Sequence, residues 1–111
     1  MKPVARLAVA ALLALSTQSV TAGDPAAGRE MAASMCASCH SENGVSTVTQ
    51  FPIIAGQYED YLVQSLEDYR SGKRENPVMN GFASQLSDRD IANLAAWFAS
   101  QPSPLFTPSA R

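Results

Sequence analysis

The sequence is short of charge, cysteine and histidine. Charged residues make up 16% of its 111 positions, 8 basic against 10 acidic, for a formal net charge of −2. So balanced a chain has neither the basic excess of a nucleic-acid binder nor the like-charged block of a solvated tail. Two cysteines cannot staple a disulfide-dense scaffold. With one histidine beside them, they fall one ligand short of a tetrahedral Cys/His zinc site. No segment alternates apolar and polar residues for long, and Val45 to Phe51 is the one short candidate strand. There is no nucleophile–base pair, no phosphate-cradling glycine loop and no internal repeat. Against these absences stands an apolar fraction of 46%, too high for disorder, in a length that suits one small domain.

The first 22 residues read as a secretory signal. Lys2 and Arg6 give the positive start, Leu7 to Leu15 is a nine-residue apolar run, and Val20-Thr21-Ala22 offers compact residues for cleavage after Ala22. A membrane span needs about 20 apolar residues, so this run is too short for one. The expectation is export to the periplasm and a mature domain of residues 23–111. Losing Lys2 and Arg6 would take the formal charge from −2 to −4.

In the mature part, punctuation predicts helices. Asp24-Pro25 is an N-cap followed by proline at the first helical position, opening a helix that ends near Cys36. A second helix is expected from about Gln57 to Ser71, where Leu62, Leu66 and Tyr69 form one stripe and Gly72 supplies the left-handed stop. The last opens at Ser87 with Asp90 three residues on, as a capping box, and buries Ile91, Leu94, Ala95 and Phe98. Residues 41–56 and 73–86 read as two long loops holding Asn43-Gly44, Pro52, Gly56, Pro77 and Gly81. The tail from about residue 102 carries three prolines and is expected to fray. The domain is therefore expected to be all-α.

Cys36-Ala37-Ser38-Cys39-His40 is a C-x-x-C-H sequence, the covalent attachment site of c-type haem. Two thiols within one helical turn can reach both vinyl groups as thioethers, and the next imidazole then binds the iron axially. A disulfide would close a very small, strained loop. A redox dithiol needs a βαβ setting, and zinc would have to recruit a carboxylate. With His40 used, the chain has no second histidine, so a methionine is the remaining soft neutral ligand. Met31 and Met35 lie on the helix leading into the motif and read as core filler. Met79, in the expected loop 73–86, is the candidate sixth ligand.

The mature chain resembles the class I, His/Met-ligated monohaem cytochromes c of the small bacterial periplasmic type. The resemblance rests on Gly28, the Cys36–His40 motif, Phe51-Pro52-Ile53-Ile54-Ala55-Gly56-Gln57, Met79, and Leu86-Ser87-Asp88 leading into Ile91-Ala92-Asn93-Leu94-Ala95-Ala96-Trp97-Phe98. It implies a fold in which the first and last helices cross, with Gly28 and Trp97 at the contact and Ala32 where a bulkier residue is usual. It further implies that the Pro52 carbonyl accepts a hydrogen bond from the His40 imidazole. For the buried propionates, Arg74, Tyr61 and Trp97 are candidate donors, with Arg70 and Lys73 as alternatives.

With both axial positions filled, no substrate site remains on the iron. The expectation is a one-electron carrier, not an enzyme, that meets donor and acceptor proteins at an apolar rim including Met79, Val78 and Phe82. It would act as a monomer or as a permanent haem-bearing subunit of a dehydrogenase or oxidase complex. A ligand-binding haem protein, in which Met79 dissociates, is the remaining alternative.

Overall fold

A computed structural model describes Met1 and residues 22–106. The expected signal segment therefore lies outside the described residues except at its two ends, as does the end of the tail. Among the described residues five helices follow one another: α1 (Pro25–Met35), α2 (Ala37–His40), α3 (Glu59–Ser71), α4 (Pro77–Ala83) and α5 (Asp88–Ala99). No strand occurs among the described residues, and Val45 to Phe51 is turn and bend.

α1 starts where its cap dictates. The Asp24 carboxylate accepts from the Ala26 N–H at 2.9 Å, and Pro25 fills the first helical position. α5 carries the full capping box: Ser87 Oγ accepts from the Asp90 N–H at 3.1 Å, and the Asp90 carboxylate accepts from the Ser87 N–H at 2.9 Å. These two helices cross at Gly28, where a Cβ would stand only 2.0 Å from the Asn93 carbonyl oxygen. The side chain of Asn93 accepts from the Asp24 N–H at 2.7 Å, fastening the start of α1 to α5. Ala32 is completely buried beneath the crossing. Ile91, Leu94, Ala95 and Phe98 are the buried face of α5, as the spacing predicts.

The segment between α2 and α3 is irregular but tied down. The Gly44 carbonyl accepts from the N–H groups of Ile54 and Ala55 at 2.9 and 3.1 Å, and the Gly56 N–H donates to the Phe98 carbonyl at 2.9 Å. Gly44 is required twice over: its φ is +79°, and a Cβ there would meet the Phe98 ring at 2.8 Å. Ser103 lies against Gly56, so the chain beyond α5 turns back over this loop before its exposed end at Leu105 and Phe106.

α3 begins at Glu59, two residues later than expected, because Tyr58 keeps an extended ψ of 132°. It ends at Gly72 with φ +81°, the left-handed stop. One expectation is corrected outright: residues 77–83 form a helix, not part of a loop. Asn76 and Pro77 repeat the cap-then-proline signal of Asp24 and Pro25, and Gly81 costs α4 only about 1 kcal/mol without stopping it.

Candidate cofactor site

A cavity of about 360 Å³ opens between α2, α3, α4 and α5. Its floor is apolar: Leu94, Ala95 and Phe98 from α5, with Leu62 and Leu66 from α3. The sequence stripe Leu62, Leu66 and Tyr69 thus faces the cavity, and Leu66 and Tyr69 are only half-buried for that reason.

The motif residues lie on one turn. The N–H groups of Cys39 and His40 both donate to the Cys36 carbonyl, at 3.2 and 2.9 Å. This winding brings Cys36, Cys39 and His40 to the same cavity wall. Neither thiol is in a disulfide. Burial, with a smaller contribution from Cys39, pushes the Cys36 thiol up to about 11, so it is neutral at pH 7. Ser41, just past His40, turns the chain with φ +65°, an unusual conformation for a residue with a side chain.

His40 is buried, with 8% of its surface exposed. Its Nδ1 lies 2.9 Å from the Pro52 carbonyl oxygen. A carbonyl can only accept, so Nδ1 carries a proton, and in the neutral tautomer the free lone pair is then on Nε2. Phe51 stands edge-on to the ring at 6.4 Å, which helps fix its plane. Met79 lines the same cavity from α4, as does Met35 from the end of α1, whereas Met31 packs on the core cluster.

The donor candidates divide. Tyr61 and Arg74 line the cavity, and the Arg74 guanidinium lies over the Tyr69 ring at 4.7 Å. Trp97 does not line it, and that expectation is corrected. Its indole N–H donates to the Glu42 carbonyl at 2.8 Å, while Arg29 covers its ring at 5.7 Å. The α1–α5 crossing points this indole toward the loop after His40 instead of the cavity. Arg70 donates to the Leu86 carbonyl at 3.1 Å and to Asp88 at 2.6 Å, and Lys73 pairs with Asp68 at 3.7 Å. Both alternatives are engaged elsewhere. The sequence reading did not single out Asn76, although its step into Pro77 is the signal that would have found it; it caps α4 and lines the cavity.

These residues fit a haem. Two thiols one turn apart, an imidazole and the thioethers of Met35 and Met79 share one apolar cavity, and a flat apolar macrocycle is the ligand such a set accommodates. Among the described residues, no group of three or more His, Cys, Asp or Glu side chains is arranged to hold a bare metal ion. Residues 23–98 match the family described as cytochrome C oxidase, cbb3-type, subunit III. Cytochrome c-554(548) of Halomonas halodenitrificans is 39% identical over 83 residues, covering 72% of this chain and 99% of that protein. The chain belongs to the cytochrome c family.

Cytochrome c4 of Pseudomonas aeruginosa is 44% identical over 98 residues, covering 86% of this chain and 48% of the relative. The crystal structure of reduced recombinant cytochrome c4 from Pseudomonas stutzeri superposes with a TM-score of 0.65 at 28% identity, over 74% of this chain and 53% of that one. The chain thus spans about half the length of the cytochromes c4 it matches. The all-helical architecture of the described residues is the class I cytochrome c fold, and the cofactor is haem c, for which Cys36, Cys39 and His40 form the C-x-x-C-H motif.

Proposed function

We propose that this cytochrome c is a one-electron carrier of the periplasm, formed by residues 23–111 after removal of the first 22, and that it acts between donor and acceptor proteins without catalysing a reaction of its own. When bound, haem c supplies a one-electron couple. Cys36 and Cys39 would hold it as thioethers, and His40 Nε2 and Met79 Sδ would be the donors to its iron. The Pro52 carbonyl fixes the imidazole tautomer and plane and raises its donor strength. Tyr61 and Arg74 are the propionate-side donors.

One observation carries this reading. Both candidate axial ligands and both thiols line a single apolar cavity whose mouth is ringed by exposed apolar side chains: Tyr61, Val78 and Phe82 are 52, 53 and 37% exposed. A site with both axial positions filled and an apolar rim suits electron exchange by brief contact, where small, weakly held interfaces are the rule. No helix among the described residues is long and apolar enough to cross a membrane.

A second reading has one observation in its favour. The matched family is described by an oxidase subunit, which suits a haem-bearing subunit held permanently in a complex. Electron transfer that is first order and independent of protein concentration would select that reading.

Met79→Ala tests the ligand set. The variant should bind carbon monoxide in the ferrous form at neutral pH and show a lower reduction potential, because a thioether at the sixth position favours the reduced state. Met31→Leu should do neither. An unchanged potential in Met79→Ala, with no carbon monoxide binding, would overturn the assignment.

A further inference from the structure

α4 is a poor anchor for a metal ligand. It has seven residues, too few to hold a helix in water unaided, and packs chiefly on α3. A reciprocal pair of asparagines fixes it. Asn76 Oδ1 accepts from the N–H groups of Val78 and Met79, each at 3.1 Å. The Asn76 N–H in turn donates to Asn80 Oδ1 at 2.8 Å. Asn80 Nδ2 donates to the carbonyls of Tyr69 and Arg74, at 2.7 and 2.8 Å.

Asn80 therefore joins three pieces of chain: the last turn of α3, the turn after Gly72, and the start of α4. Its partners dictate the amide orientation, since carbonyls take only donors and the N–H takes only an acceptor. Asp has the same shape but sets a carboxylate against two carbonyl oxygens. Asn80 is half-buried and does not line the cavity, unlike its neighbour Met79.

We infer that Asn80 is a positioning residue for the bond between Met79 and the haem iron, and that its three-way clamp keeps the thioether in place against competing ligands. This rests on the reading of Met79 as axial ligand. A thioether is a weak neutral donor, so its occupancy depends on how firmly its segment is held. Without the two Nδ2 bonds, α4 keeps its packing on α3 but loses its Asn80 hydrogen bonds to the Tyr69 and Arg74 carbonyls, and an external donor competes better.

The test is imidazole titration of the ferric holoprotein, following the weak methionine-to-iron band in the red. Asn80→Asp and Asn80→Ala should each bind imidazole at least tenfold more tightly than the wild type, while far-UV circular dichroism stays native. Ser84→Ala removes a bond at the C-terminal end of α4, from Ser84 Oγ to the Gly81 carbonyl at 2.8 Å, but leaves the clamp intact. It should stay within twofold of the wild type. Met79→Leu separates the two ideas. If the band survives in Met79→Leu, the ligand reading itself fails. If the band is lost there, and either natively folded Asn80 variant binds imidazole within twofold of the wild type, the positioning role is overturned.

Discussion

Replacing Gly28 with alanine sets two effects of opposite sign against each other. Helix propensity favours alanine by about 1 kcal/mol at an interior helical site. The α1–α5 crossing opposes it. The new Cβ would stand 2.0 Å from the Asn93 carbonyl oxygen, 2.6 Å from the carbonyl carbon and 2.9 Å from Trp97 Cβ. The first two are backbone atoms of a capped helix and cannot rotate away. Restoring an ordinary 3.4 Å contact from 2.0 Å moves the helices apart by about 1.4 Å. A gap of 0.5–1 Å already forfeits roughly a quarter to a half of a dispersion well, so Ala32 and Ile91 lose most of their packing across the seam. Overpacking of this kind costs about 3 kcal/mol or more, the upper end of the usual range. The net is about 2 kcal/mol of destabilisation. For a domain of this size that lowers the melting temperature by roughly 8–16 °C. Thermal unfolding of the holoprotein, read by far-UV circular dichroism, measures it. An unchanged or raised melting temperature would refute the steric reasoning and leave propensity in control.

Two further predictions concern the cofactor and the partner. Cys36→Ala or Cys39→Ala should give little holoprotein, and its haem-free form should lack a cooperative thermal transition. Emptying a cavity of about 360 Å³ at about 24 cal/mol per Å³ costs about 9 kcal/mol, the size of a whole domain's stability; a cooperative melt in the apoprotein would count against this. The mature charge of −4, reached when Lys2 and Arg6 leave a chain of −2, should steer the carrier to a basic docking face. Its second-order electron-transfer rate should then fall as ionic strength rises, and a rate that climbs with salt would refute that docking.

The sequence was legible wherever one local interaction decides the structure. Asp24-Pro25, Ser87 with Asp90, and Gly72 each act through the nearest turn, and the helices they bound formed as their punctuation predicts. The motif was legible for the same reason, because Cys36, Cys39 and His40 share one turn. α4 is not legible when Pro77 and Gly81 are both taken as loop signals, because Pro77 after the Asn76 cap opens a helix instead of breaking one. Trp97 meets Gly28 at the helix crossing as expected, but its indole turns away from the cavity, a direction that depends on the angle at which two distant helices cross. Asn80 carried no signal at all: its role follows from two carbonyls and an N–H on different segments, which meet only once α3 and α4 have packed.

The uneven attachment of α4 sets an order of opening. α1 and α5 interlock through Gly28, Asn93 and the Asp24 cap, so their amide hydrogens should be among the last to exchange with solvent. α4 is held chiefly by α3 and the asparagine clamp, so its amides belong to a smaller cooperative unit that opens at lower free energy. One face of the cofactor pocket can therefore loosen while the histidine face stays folded. A local excursion there would disturb the Met79 wall of the pocket without exposing the core.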